Sequence, residues 1–255
     1  MIIQINIMKI LITTLVRNNA TWLPQFYTMV DRLKSDMPDI TFDTYIYEND
    51  STDDTKRLLR GEHVSANLGH PVDSETRTQR IAFYRNSVKR NTMTRGHDYI
   101  LMVDSNMTWG GLAFKCLLET LETHEDISMA CPNAMVKTSL PCEFYYDTFA
   151  MRKGQFDSIF ECTSTGKCHD RHCHKVTGYK PHHSSGPDSP RLVDFDTCFG
   201  GFVLLRGKVY DNDDIWWTLM DGVRDCEHWG FCQLIRKHGG RIVVDRHAKV
   251  LWSEV

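Results

Sequence analysis

Apolar segments with the character of strands alternate with helical patterns in the first half of the chain, and this alternation most constrains the fold. The strand-like segments are KILITTLV (9–16), TFDTYIYE (41–48) and DYILMVD (98–104). Apolar residues recur at helical spacing in residues 75–90 and 111–123. Because the strands are apolar almost without interruption, burial on both faces is expected, as in parallel sheets. We therefore predict an α/β fold with a mostly parallel sheet flanked by helices.

The second half has a different pattern. The segments EFYYDTFAMR (143–152) and DTCFGGFVLLRG (196–207) are predicted to be strands. The segment DCEHWGFCQLIRKHGG predicts a helix with Asp225 as N-cap and Gly239 as the stop signal. Two short strands, RIVVD and AKVLW, are predicted to follow. No linker divides the chain, so residues 1–255 are predicted to form a single domain.

Composition excludes some classes of protein. The net charge of −3 over 255 residues argues against general nucleic-acid binding, which needs a basic excess. No stretch approaches the roughly 20 apolar residues that span a bilayer, so no membrane span is expected. We interpret the apolar N-terminal segment as a first strand, with Met8 as a plausible start, because it lacks the features of a signal peptide. The nine cysteines lie mostly in apolar patterns, such as Cys116, Cys131 and Cys232, which favours reduced thiols and a cytoplasmic location.

Polar clusters follow three of the predicted strands, namely RNN (17–19), ENDSTDD (48–54) and DSN (104–106). Ligands of open α/β sheets bind beyond the carboxyl ends of the strands. Asp104 and Asn106 are two residues apart, so in an extended segment both face the same side. Their oxygens suit Mg²⁺ or Mn²⁺, which bridges to substrate phosphates. The alternative is that Asn106 only forms an Asx-turn.

The order of these segments resembles a known enzyme class. TLVRNNATWLPQF, IYENDSTDDTKRLL, RTQRIAFYRNSVKR and DYILMVDSN follow one another as in the nucleotide-sugar-binding half of GT-A glycosyltransferases. The chain is most similar to the fungal capsule-associated mannosyltransferase family, and less similar to procollagen galactosyltransferases. The likeness continues into EFYYDTFAMR and CEHWGFC, so it covers most of the chain.

The resemblance implies a GT-A (Rossmann-like) fold. The donor-binding half would span about 8–110, and the acceptor and catalytic half about 111–255, with a smaller acceptor-side sheet. The implied reaction transfers a sugar from a GDP- or UDP-linked donor, with a mannosyl group favoured, to a glycan or other hydroxyl acceptor. Mn²⁺ or Mg²⁺ would assist.

The same resemblance assigns residues to the nucleoside. Thr14 and Arg17 would border it, and Glu48 and Asn49 would reach its base or ribose. These four residues lie at the ends of the first two predicted strands.

The diphosphate needs positive charge, because negative charge develops on it as the glycosidic bond breaks. Asp104 and Asn106 would occupy the metal-binding acidic motif of the resembled family, with Asn replacing its second carboxylate. Arg77, Arg80 and Arg85 lie on or just before one predicted helix and are candidates for further positive charge. The alternative for each arginine is a solvated helix face.

Glu227 falls in the first turn of the predicted helix that follows Asp225, where the helix dipole favours a negative charge. The resemblance puts Glu227 at the acceptor-side acidic motif of GT-A enzymes. In an inverting enzyme this carboxylate removes the proton of the acceptor hydroxyl, and in a retaining enzyme it orients the acceptor or steadies the sugar. His228 is an alternative base, and stabilisation of the helix terminus is an alternative role for Glu227.

Residues 160–190 form a long segment rich in Cys, His, Gly, Ser and Pro. Its cysteine spacing matches no common zinc motif, so a mobile loop that closes over the substrates is favoured over a structural zinc site.

Two rival functions fit parts of the sequence. A sugar nucleotidyltransferase would normally carry a Gly-rich phosphate loop, and TLVRNNATW has no glycine. A zinc-stabilised carbohydrate-binding or scaffold protein would hold a metal without consuming a donor. A cytoplasmic enzyme, a virus-encoded enzyme or a chain without its anchor all fit the absence of an apolar span.

Overall fold

The computed structural model of the chain describes residues 7–69, 74–137, 143–145, 147, 150–151, 190–219 and 226–252. The helices in this part of the chain are α1 (Leu23–Asp36), α2 (Thr55–Leu58), α3 (Ser74–Thr92), α4 (Gly111–Thr123), α5 (Gly207–Tyr210) and α6 (Glu227–Lys237). The strands are β1 (Met8–Val16), β2 (Ile40–Asn49), β3 (Glu62–Ala66), β4 (Tyr99–Val103), β5 (Met107–Thr108), β6 (Ile127–Lys137), β7 (Glu143–Tyr145), β8 (Leu192–Asp194), β9 (Phe202–Arg206) and β10 (Arg241–Trp252).

All of these strands belong to one sheet. Its order is β3-β2-β1-β4-β9-β6-β10-β5, with β7 added to β6 and β8 added to β10. Strands β1 to β4 run parallel to one another, as predicted. Strand β9 runs antiparallel to β4 and β6, so the sheet is mixed. The short strands β5, β7 and β8 border β6 and β10, on the side where a smaller acceptor-side sheet was expected.

The apolar pattern explains why the first half folds in this way. Ile10, Leu11 and Ile12 on β1 and every residue of β4 are buried, because the strands are covered on both faces. Helix α4 has the predicted bounds and buries Phe114 and Leu117 against the sheet. Hydrophobic burial of this kind fixes the position of the strand ends, where the polar clusters lie.

Four predicted strands differ from the observed ones. The last two form a single strand, β10, whose pairing with β6 shifts register between Asp245 and Lys249. This irregularity at a bulge explains why the hydrophobic pattern is interrupted there. Residues 196–201 precede β9 as irregular chain, because Gly200 and Gly201 adopt positive φ angles of 67° and 66°. In the predicted strand 143–152, Glu143–Tyr145 form a strand, and the described residues 147, 150 and 151 do not belong to it.

The expectation of reduced thiols is wrong for one pair of cysteines. Cys131 on β6 and Cys198 form a disulfide. The two Cα atoms lie 6.4 Å apart, within the range that a disulfide bridges. In the described part of the chain, Cys116 and Cys232 are buried thiols outside any disulfide, and Cys226 is also buried.

The predicted Cys/His-rich loop lies outside the described residues, apart from Pro190. The prediction of Asp225 as N-cap is wrong, because α6 begins at Glu227 and Cys226, with an extended backbone, is its N-cap. Within the described ranges, no helix is both long and apolar enough to cross a lipid bilayer.

Candidate active site

The three predicted polar clusters meet at the carboxyl edge of the parallel strands. The backbone N–H of Asn18, after β1, donates to the Ser51 hydroxyl, after β2, at 3.0 Å. The Ser105 hydroxyl, after β4, donates to Oδ1 of Asn19 at 2.9 Å. Asn18 and Asp50 both adopt the left-handed conformation, with φ near 50°. Positive φ in non-glycine residues is uncommon and persists where surrounding hydrogen bonds enforce it.

The residues predicted to bind the nucleoside border this edge. Thr14 is buried and lines a small cavity together with Arg85. Arg17 is half-buried. Glu48 is fully buried and accepts hydrogen bonds from the Ser51 N–H, at 2.8 Å, and from the Ser65 hydroxyl. These two bonds hold the loop after β2 in place.

The Asn49 amide donates to the Tyr84 hydroxyl at 3.3 Å and to Asp50 at 3.4 Å. Burial alone would raise the pKa of Asp50, but hydrogen bonds from Gly69, Asn49 and Leu68 lower it below its ordinary value. Asp50 is therefore ionised at neutral pH and ties the loop after β2 to residues 68 and 69, which follow β3.

Arg85 lies at the centre of a cluster of charged groups. It projects from α3, and its side chain is 11% exposed. Its Nε donates to Oε1 of Glu227 at 3.3 Å, and an Nη atom lies 3.9 Å from Oδ1 of Asp104. Its guanidinium also stacks over the Phe199 ring, 4.7 Å from the ring centre. Helix α3, strand β4 and helix α6 thus bring together three side chains that are far apart in the sequence.

The other two predicted arginines lie on the same helix. Arg77 is exposed, and its charge acts on Asp104. Arg80 is half-buried, and its charge acts on Tyr84. Arg85 forms ion pairs with two of the predicted site residues, Asp104 and Glu227.

Glu227 lies in the first turn of α6, as predicted, where it is the first helical residue, and it is 5% exposed. His228 is buried next to it, with Nε2 3.3 Å from Oε1 of Glu227 but without hydrogen-bond geometry. Neither ring nitrogen of His228 has a hydrogen-bond partner in the part of the chain that the structure describes. The ring stacks on Phe199 with centroids 4.1 Å apart. Burial, reinforced by Arg85, lowers the pKa of His228 well below its ordinary value, so the imidazole is neutral at pH 7.

Asp147 is a further carboxylate of the site, and sequence reasoning missed it. Its two oxygens accept hydrogen bonds from the backbone N–H groups of Gly200, at 2.9 Å, and Ala150, at 3.1 Å. Burial raises the pKa of Asp147 to about 6, and the nearby charges of Asp104 and Glu227 act in the same direction. It belongs to the segment EFYYDTFAMR, where the expected strand gave no reason to single out one aspartate.

The cluster contains three carboxylates and one guanidinium, so it carries an excess of negative charge. Asp104 remains partly exposed, with 32% of its side chain accessible, and Asn106 is half-buried. Burial raises the pKa of Asp104 above its ordinary value. The positive charge of Arg85 acts to lower this pKa, and the negative charge of Glu227 acts to raise it further. Oxygen donors with surplus negative charge fit a hard divalent cation.

Among the residues described, no group of three His, Cys, Asp or Glu side chains is arranged around a common metal position.

Comparison with solved structures identifies the fold. The chain superposes on S. aureus TarS, a GT-A glycosyltransferase, with a TM-score of 0.55 and 12% identity, covering 97% of this chain and 37% of TarS. The TarS fragment 1–349 gives a TM-score of 0.51 and 14% identity over 93% of this chain and 58% of the fragment. The complex of this fragment with UDP-GlcNAc gives a TM-score of 0.52 and 13% identity, and the match covers 97% of this chain and 60% of the fragment. The fold is GT-A.

This chain spans less than two thirds of each of these TarS chains. No protein-family model matches the sequence, and no curated protein matches it. The likeness to TarS therefore concerns the fold.

Proposed function

We propose that the protein is a glycosyltransferase that moves a sugar from a nucleoside diphosphate donor to a hydroxyl acceptor. The observation that carries this proposal is the meeting of Arg85, Asp104 and Glu227 at the carboxyl edge of the parallel strands in a GT-A fold. Ligands of α/β sheets bind at this edge.

In this proposal Arg85 stabilises the diphosphate leaving group. It is held by an ion pair and by the Phe199 ring, so little reorganisation is needed when negative charge develops. Asp104 and Asn106 would hold Mn²⁺ or Mg²⁺, which when bound supplies further positive charge to the diphosphate. Arg80, also on α3, would approach the donor from the same helix.

Glu227 and His228 are the proposed catalytic pair. In an inverting transfer, one of them accepts the proton of the attacking hydroxyl, and in a retaining transfer, Glu227 orients the acceptor. The burial of both side chains excludes water, which would otherwise compete with the acceptor.

The nucleoside is proposed to lie against the loops after β1 and β2, with Thr14 and Arg17 on one side and Glu48 and Asn49 on the other. The hydrogen bonds that Glu48 and Asn49 form with the protein support a role in shaping this pocket. The side-chain oxygens of both residues retain lone pairs that a base or ribose can use.

The donor sugar is the finer part of the proposal. The sequence resemblance to capsule-associated mannosyltransferases favours GDP-mannose, whereas the TarS complex contains UDP-GlcNAc. The protein should therefore be incubated with a panel of GDP- and UDP-sugars and MnCl₂, and release of free nucleoside diphosphate should be measured.

Release of nucleoside diphosphate from one donor is the expected result. Release of pyrophosphate from a nucleoside triphosphate and a sugar phosphate would indicate a nucleotidyltransferase instead. Binding of a glycan without consumption of any donor would indicate a carbohydrate-binding protein.

A further inference from the structure

Asp147 is held more firmly than a surface aspartate would be. Its carboxylate accepts the N–H groups of Gly200 and Ala150, and its own carbonyl accepts the N–H of Met151 at 3.1 Å. Both oxygens are thus fixed by backbone groups on two separate segments. Each carboxylate oxygen can accept two hydrogen bonds, so one acceptor position on each oxygen remains.

The negative charge of Asp147 has no counterion within the described residues. Arg85 forms ion pairs with Glu227 and Asp104. The negative charges of these two carboxylates repel that of Asp147. A partly buried carboxylate beside two others reduces stability compared with a neutral side chain. The two backbone N–H groups use one acceptor position on each oxygen, so the remaining positions are available to a hydroxyl donor.

The turn that holds Asp147 also contacts the rest of the site. Phe199 stacks on Arg85 and His228, and the backbone carbonyl of Gly201 accepts the N–H of Asp104 at 2.8 Å. Gly200, between them, donates to Asp147. One three-residue turn therefore fixes Asp147 relative to the proposed diphosphate and acceptor groups.

We propose that Asp147 binds a sugar hydroxyl, either on the transferred sugar of the donor or on the acceptor. The inference rests on the proposed function and adds a substrate-binding residue to it. A fixed, charged acceptor suits a hydroxyl donor, because hydrogen bonds to charged groups are stronger than neutral ones. Such a bond typically contributes about 1.5–3 kcal/mol, which corresponds to about 10- to 100-fold in affinity or rate.

The test is the Asp147→Asn variant, which keeps the shape of the side chain, removes the charge and leaves one acceptor oxygen for the two N–H groups. Calorimetry should measure its affinity for UDP and GDP and for UDP-GlcNAc and GDP-mannose, each with MnCl₂, beside turnover of the same donors. If the hydroxyl belongs to the donor sugar, affinity for the nucleotide sugar falls about 10- to 100-fold while affinity for the nucleoside diphosphate is unchanged. If it belongs to the acceptor, both affinities are unchanged and turnover falls by that factor.

Two outcomes would overturn the inference while leaving the proposed function intact. One is equal weakening of nucleoside diphosphate and nucleotide sugar, which would assign Asp147 to the diphosphate and its cation. The other is wild-type behaviour in every measurement. If wild-type protein binds and turns over no donor, the proposed function fails, and the inference fails with it.

Two more variants separate binding from folding. Asp147→Ala leaves the Gly200 and Ala150 N–H groups to water and should give the same loss as Asp147→Asn. If both variants unfold, the carboxylate is structural and the inference is wrong. Asp211→Asn is the matched control, since Asp211 also accepts a backbone N–H, that of Thr94 at 3.0 Å, beyond the C-terminal end of α3.

Discussion

Replacing Arg85 by Met should reveal how strongly the carboxylates of the site depend on a single cation. Met keeps much of the apolar stem of Arg85 but removes its charge. Glu227 would then remain 6% exposed with no cation paired to it in the described part of the chain. Removing one partner of a buried ion pair typically costs about 3–5 kcal/mol, because the remaining charge is left without compensation. The lost stacking on Phe199 adds about 0.5–1 kcal/mol.

The free energy of unfolding should be measured by urea denaturation at pH 7.5 and at pH 5. At pH 7.5 we expect Arg85→Met to lower it by about 3.5–6 kcal/mol. At pH 5 the loss should be smaller by at least about 1 kcal/mol, because a carboxylate without its partner can bind a proton instead of remaining a buried charge.

The matched control is Arg90→Met, an exposed arginine in the last turn of the same helix that lies 5.6 Å from the Trp216 ring. It should cost less than about 1 kcal/mol at both pH values. A loss below about 1 kcal/mol for Arg85→Met at pH 7.5, or an equal loss at the two pH values, would refute the reasoning.

Three further changes have defined outcomes. Glu227→Gln should reduce sugar transfer far more than it weakens nucleoside diphosphate binding by calorimetry, and near-normal transfer would exclude Glu227 from catalysis. Burial lowers the pKa of Lys89 from 10.5 to about 8. Between these two pH values the unfolded chain binds more protons than the folded chain. The free energy of unfolding of the wild type should therefore rise with pH across this range, by up to about 3 kcal/mol from Lys89. Lys89→Met should lack that rise in urea denaturation, and an identical pH dependence in both proteins would contradict the assignment. Gly230→Ala should lower stability by about 1–3 kcal/mol or more, because its Cβ would lie 2.0 Å from the backbone oxygen of Thr218. Gly110→Ala, which meets no atom within 4 Å, should leave the denaturation midpoint almost unchanged.

The parallel part of the sheet could be predicted because its strands are apolar throughout and its helices have clear periodicity. Helix α4 was predicted with its observed bounds. The ends of β1, β2 and β4 were predicted to within one residue. Strand β6 was not predicted, because Pro132 and Asn133 interrupt its pattern although they pair with β10. The direction of β9 was also missed, since hydrophobic pattern alone carries no information on whether a strand runs parallel or antiparallel.

The site could be predicted in part. Strand ends concentrate polar residues, so Asp104 was identifiable from its position after β4. The pairing of Arg85 with Glu227 joins residues 142 positions apart, and no local pattern encodes it. Asp147 was missed because its role depends on a turn with two glycines at positive φ, which the sequence suggested only as a strand.

The most direct test of the account compares the two ends of β4. Asp104 follows the carboxyl end of this strand, and Asp98 precedes its amino end, where it accepts the N–H of Lys9 at 2.8 Å. Turnover of the best nucleotide sugar should be measured for Asp104→Ala and Asp98→Ala, with circular dichroism to confirm that both fold. We predict that Asp104→Ala loses donor turnover and that Asp98→Ala retains it. Wild-type turnover in Asp104→Ala would contradict the claim that a nucleoside diphosphate sugar reacts at the carboxyl edge of the sheet.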